Sequence, residues 1–136
     1  MAAIVQIERQ SPTSAHWQIS EYESAIGTSS RLMIVAEEGA HLLGFLVAST
    51  ATLEWELENI AVAPAERHRG IGRSLMNALI ASAQAGGALE IRQEIRASNL
   101  AAQRLGHELG FAQEGRRPGY YCDPDEDALL FKYLVK

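Results

Sequence analysis

The chain has 136 residues, 47% of them hydrophobic, and a formal net charge of -5 at pH 7. That length fills one compact core and no second of useful size, so a single domain over residues 1–136 is expected. The acidic balance excludes a general nucleic-acid or anionic-membrane binder, which needs a basic face, and the lone Cys122 excludes an internal disulfide or a cysteine metal cluster.

"MAAIVQIERQ" lacks the long apolar core of a secretory leader, and no window reaches the roughly 20 apolar residues that span a bilayer, so a soluble protein of a reducing cytoplasm is expected. "AAIVQIER" reads as a first strand. Ser11 and Pro12 then open a helix through "TSAHWQISEYESAI" that stops at Gly27. "RLMIVAEEG" and "HLLGFLVAST" form a hairpin around a short Glu-Glu-Gly turn. In "TLEWELENIAVAP", Leu53, Trp55 and Leu57 alternate with Glu54, Glu56 and Glu58, as in a half-buried strand, before a continuous apolar run from Ile60 to Val62.

A basic loop follows Pro64. Beyond it, Ile71, Leu75, Leu79 and Ala83 recur every fourth residue, marking a helix with one buried stripe that Gly86-Gly87 ends. "ALEIRQEIR" alternates as a strand, with Glu90, Arg92, Glu94 and Arg96 on one face and Leu89, Ile91, Gln93 and Ile95 on the other. "SNLAAQRLGHELG" restarts helical spacing with Ala101, Leu105 and Leu109, from a Ser98 or Asn99 cap to Gly110. "FAQEGRRPGYY" and "DALLFKYLVK" make a final strand pair around the acidic turn "CDPDED". The order is βαβββαβαββ, an α/β sheet without internal repeats.

The stretch "ERHRGIGRSL" concentrates positive charge in an acidic chain. Placed between a strand and a helix, it gathers free backbone N–H groups at a helix N-terminus, where the peptide dipoles add about half a positive charge. Gly70 and Gly72 admit phosphate oxygens close to the backbone, and Arg67, His68, Arg69 and Arg73 add charge around them. A Walker loop would end in Gly-Lys-Ser/Thr, and a dinucleotide fingerprint would have its third glycine where Leu75 stands, so neither nucleotide motif is met. By itself the pattern equally describes a solvated basic turn.

"RHRGIG", Arg67 to Gly72, fits Arg/Gln-x-x-Gly-x-Gly/Ala and resembles the pyrophosphate loop of the GNAT superfamily of acetyl-CoA-dependent N-acetyltransferases. "NIAVAP" before it, "IRASNLAAQRLGHELGF" one helix and one strand later, and "RRPGYY" with an Asp-Ala pair before the last strand are similar to the ribosomal-protein-alanine branch of that superfamily. The likeness runs without gaps from about Glu56 to Tyr121. It implies a GNAT fold: a mixed, mostly antiparallel sheet of about six to seven strands flanked by helices, with splayed central strands forming the acetyl-CoA cleft.

By this resemblance Ile60, Ala61 and Val62 serve the pantetheine and acetyl end, and the run Arg67, His68, Arg69, Gly70, Ile71, Gly72 and Arg73 takes the pyrophosphate. Asn99 contacts the cofactor, a role compatible with a plain helix N-cap. Glu94 falls at the general base that removes a proton from the incoming ammonium; on the strand alone it also reads as one of four solvated charges paired with Arg92 or Arg96. The family's usual proton-donating tyrosine is replaced by Gly106. A thiolate of pKa about 8.5 departs without full protonation, and Tyr121 or Tyr120 offers a phenol. Tyr120, Glu56 and Asn59 match acceptor-side positions. His16 and His41 have no metal-ligand spacing, so no metal is expected, and Cys122 has no adjacent base to activate it.

The implied activity is acetyl transfer to a primary amine, foremost the N-terminal α-amine of a protein such as a ribosomal protein. Acetylation of a small amine or lysine side chain, and a degenerate acetyl-CoA-binding sensor or interaction module, are the alternatives. Nucleic acid and membrane are not expected partners; the oligomeric state is not legible.

Overall fold

A computed structural model describes residues 18–23, 30–122 and 125–136. Seven strands form one sheet: β1 Gln18–Glu23, β2 Arg31–Glu38, β3 His41–Ser49, β4 Glu54–Val62, β5 Glu90–Arg96, β6 Ala112–Tyr121 and β7 Glu126–Leu134. Their order is β1-β2-β3-β4-β5-β7-β6. Every neighbouring pair is antiparallel except β4 and β5. Helix α1, Ile71–Ala85, supplies the crossover that a parallel pair requires, and α2, Leu100–Leu109, connects β5 to β6. No helix among the described residues is long and apolar enough to cross a membrane.

The expected hairpin is present, turning at Gly39 and Ala40; both glutamates before the turn belong to β2. The expected stripe of α1 is buried, with Ile71, Leu75, Leu79 and Ala83 each no more than 1% exposed. They pack against Ile34, Leu43, Leu46 and Ile91 of the sheet. On β5 the alternation holds: Ile91, Gln93 and Ile95 are buried and the charged residues face outward. Gly110 closes α2 with φ 102, a left-handed geometry that glycine adopts without steric cost.

Several expectations are corrected. The helix running to Gly27 does not include residues 18–23, which pair with β2 from Gln18↔Glu37 to Glu23↔Leu32. The segment "QISEYE" sets Ile19 and Tyr22 three residues apart, a helical spacing, and the open backbone groups of β2 decide instead in favour of a strand. The remainder of that helix and the strand "AAIVQIER" lie outside the described residues. Leu53 and Leu89 are 53% and 61% exposed, because each precedes its strand and escapes the pleat. The buried face of α2 is Ala102, Leu105, Gly106 and Leu109, with Ala101 outside it.

Gly44 of β3 shows how closely α1 lies on the sheet. A Cβ there would stand 2.9 Å from the Ala61 carbonyl oxygen, 3.2 Å from Ile71 Cγ2 and 3.3 Å from Leu75 Cδ1. Backbone cannot yield as a side-chain tip does. Gly44→Ala is therefore expected to destabilise the protein by about 2 kcal/mol, to be measured by denaturant unfolding; an unchanged midpoint would contradict this packing.

Candidate active site

The β4–β5 ladder is short. Pairing runs from Glu54↔Glu90 to Leu57↔Gln93 and goes no further. On the opposite side of β4 the register with β3 jumps from Ala48↔Leu57 to Val47↔Asn59, leaving Glu58 as an extra residue. Such a bulge bends its strand and increases its local twist. Past Leu57, β4 therefore follows β3 away from β5, and a V-shaped cleft of about 250 Å³ opens. Its walls include Asn59 and Ile60 from β4, Gln93 and Glu94 from β5, Asn99 and Ala102 from the start of α2, and Tyr121 from β6. Five of the residues named from sequence, Asn59, Ile60, Glu94, Asn99 and Tyr121, thus meet in one cavity.

Beyond Ile60, the strand carries Ala61 and Val62 to the basic loop. Ala61 packs with Val35 and Phe45 on the far face, whereas Val62 joins the main core. Val62 Cγ2 lies 3.9 Å from where a Cβ on Gly72 would stand, so the end of β4 abuts the first turn of α1. Gly70 is the N-cap of that helix, at φ 79 and with no side-chain capping bond. The amides of Ile71, Gly72 and Arg73 lack intrahelical acceptors by position. Together they form an uncapped, electropositive helix start.

The charged side chains of the loop differ in their commitments. Arg67 and His68 are exposed. Arg69 turns inward, pairing with the fully buried Glu66 and lying 3.5 Å from Glu38 at the end of β2. It anchors the loop, in contrast to the mobile anion-facing charge expected from sequence. Between the anchor and Gly70, His68 is held at φ 68, a conformation costing an L-residue about 1 kcal/mol. Arg73 pairs with Glu108, joining α1 to α2.

Glu94 does not pair with either arginine beside it on its face. Arg92 is taken by Glu54 and Glu90, and Arg96 by Glu126. Glu94 instead lies 3.3 Å from Arg117 of β6 and hydrogen-bonds the Tyr120 hydroxyl, whose pKa is raised first by that bond and then by the carboxylate charge. Burial, followed by the Glu94 charge, also raises the Tyr121 phenol. Both phenols consequently stay protonated at neutral pH. Arg117 and Glu94 also line an adjoining cavity of about 200 Å³ with Glu56 and Gln93. Of the outward glutamates of β4, Glu58 is neutralised: Arg31 makes two bonds to it, of 2.7 and 3.0 Å, and holds its carboxyl below the usual range.

Asn99 Oδ1 accepts the Ala102 N–H at 3.1 Å, so the asparagine caps α2 while lining the cleft. One supporting residue escaped sequence reading. Glu126 bonds the Ser98 amide at 2.5 Å and Arg96 Nη1 at 3.1 Å, tying β7 to the β5–α2 turn. It was one acid among several in "CDPDED", with nothing in its spacing to mark it. The placement of Tyr121 was equally hidden. Arg117 faces Ala128 and Tyr121 faces Glu126, so Pro118, Gly119 and Tyr120 all stand opposite Asp127. That irregularity delivers the tyrosine pair to the cleft mouth, where the Tyr121 ring lies under Arg96 at 4.3 Å.

The family model described as acetyltransferase (GNAT) family matches residues 1–111. The chain is 32% identical to the [ribosomal protein bS18]-alanine N-acetyltransferase of Salmonella typhimurium, over 85% of this chain and 86% of that protein. It is likewise 32% identical to an uncharacterised Mycobacterium leprae protein over 85% of its own length, but spans only 33% of that longer relative. The crystal structure of the Escherichia coli ribosomal-protein-S18-alanine N-acetyltransferase superposes with a TM-score of 0.80 at 26% identity, covering 89% of this chain and 95% of that one.

The loop anchor is testable by itself. Glu66→Ala removes the fully buried carboxylate that pairs with Arg69 and is expected to cost about 3 kcal/mol. Thermal or denaturant unfolding would read it; a cost indistinguishable from zero would mean that the Arg69 pairing does not hold the loop.

Proposed function

Because the chain belongs to the GNAT acetyltransferase family, we propose that it transfers the acetyl group of acetyl-CoA to a primary amine, and that this amine is the N-terminal α-amine of a protein, as in its ribosomal-protein-alanine acetyltransferase relatives. The observation that carries the reading is the cleft between β4 and β5, with Glu94 on its wall and Val62, at the end of β4, against the uncapped start of α1. Acetyl-CoA supplies an activated acyl thioester. The chain fits it: amides from Gly70 to Arg73 suit a diphosphate, with Arg67 and His68 beside them, and the edge of β4 at Ile60–Val62 suits an amide-bearing arm.

The residues divide the remaining work. Glu94 takes a proton from the incoming ammonium, since only the neutral amine is a nucleophile. A backbone N–H near Val62 stabilises the developing oxyanion, and alignment of amine and thioester contributes the largest entropic advantage. Tyr121, a phenol held protonated in the cleft, is the proton donor for the departing thiolate. Glu56, Asn59 and Tyr120 receive the cationic end of the acceptor. A single catalytic domain working in the cytoplasm accommodates this reading.

A thiol-release assay with acetyl-CoA and short peptides beginning with alanine or serine, set beside lysine peptides and polyamines, tests it. Turnover is expected on the N-terminal alanine peptides. Glu94→Gln should lower kcat by about 100-fold with acetyl-CoA affinity unchanged. Full activity in that variant would remove Glu94 as the base, and cofactor binding without turnover on any acceptor would make the chain a ligand-binding module.

A further inference from the structure

Gln93 is polar in the otherwise apolar inner row of β5, between Ile91 and Ile95. Its side chain is 7% exposed and it lines the cleft. A polar side chain so little exposed costs desolvation that a leucine in the same row would not. Its location is specific. Leu57↔Gln93 is the last pair of the β4–β5 ladder, so Gln93 stands at the apex of the V, and it lines both the cleft and the adjoining cavity.

Room for the amide comes from α2. A Cβ on Gly106 would lie 3.3 Å from Gln93 Nε2, 3.6 Å from Phe111 Cβ and 3.9 Å from Phe131 Cδ2. The Gln93 amide thus takes up the space beside the glycine.

Adjacent strand residues point to opposite faces of the sheet. Glu94, with Arg117 and Tyr120, stands on one face, and Gln93, beneath α2, on the other. An acyl carbon at the apex is then attacked from the Glu94 side, and its leaving group departs toward the Gln93 side. We propose that the Gln93 carboxamide donates a hydrogen bond to the departing CoA sulfur. This rests on the acetyl-CoA reading above and adds to it a residue that handles the leaving group. No proton is transferred by the amide. The C–S bond breaks with its electron pair on sulfur, the N–H···S⁻ bond stabilises that charge, and the proton comes afterward from the phenol or from solvent.

Gln93→Leu is the test, with binding and stability measured beside turnover. The variant is expected to unfold at higher temperature, to lose about tenfold in kcat and to keep its KM for acetyl-CoA. At about pH 9, above the ordinary thiol pKa near 8.5, the unaltered protein should bind CoA several-fold more tightly than desulfo-CoA, and Gln93→Leu should erase that preference. An equal preference in both proteins, or an unchanged kcat in the variant, would overturn the role of Gln93 while leaving the acetyl-CoA reading intact. Failure of the unaltered protein to bind either compound would instead overturn the acetyl-CoA reading, and this inference with it.

Discussion

Between Leu57 and Gln93 the one parallel ladder of the sheet ends, and the rest of the site depends on that ending. Had β4 and β5 stayed paired to their C-terminal ends, their backbone groups would satisfy one another and side chains of the two strands would close the gap. Glu58 prevents this. By standing as an extra residue against β3, it bends β4 while the antiparallel β3–β4 ladder continues. The cleft is thus produced by a backbone irregularity on one side of a strand and appears as lost pairing on the other.

A V in a sheet is useful only if its walls are held apart and its ends are furnished. Helix α1 packs its apolar stripe across β2 to β5, and its N-terminus lies against the end of β4 through Val62 and Gly72. The Arg73–Glu108 pair links α1 to α2, and Glu126 links β7 to the start of α2. The buried Glu38–Arg69–Glu66 contacts hold the loop so that its amides, not its carboxylates, face outward. These are mostly interactions between distant segments, which explains why a contiguous motif such as "RHRGIG" describes the loop but not what holds it.

Polar groups divide between satisfied and available ones. Arg92, Arg96, Glu54, Glu58 and Glu90 are neutralised in pairs on the sheet face. Glu94 is set apart from that row by geometry alone, because its neighbours are claimed elsewhere and its own partners come from β6. Gln93 is the opposite case, a largely buried amide where an apolar residue would have packed. Each lies at the point where the ladder stops, which is where a reacting group can reach both faces of the sheet.

Periodicity alone determined the strands from Arg31 onward, the buried stripe of α1 and the inward face of β5, because side-chain direction in regular structure follows from spacing. Caps were equally legible at Asn99 and Gly110, where local backbone chemistry restricts the choice of residue. Only tertiary structure decided that residues 18–23 form a strand, since the donors and acceptors recruiting them belong to β2. It likewise decided that Arg69 turns inward, that Tyr121 reaches the cleft, and that Gln93 sits at its apex. Each of those outcomes depends on a partner distant in sequence or on a one-sided register shift, and neither leaves a trace in the spacing of a single segment.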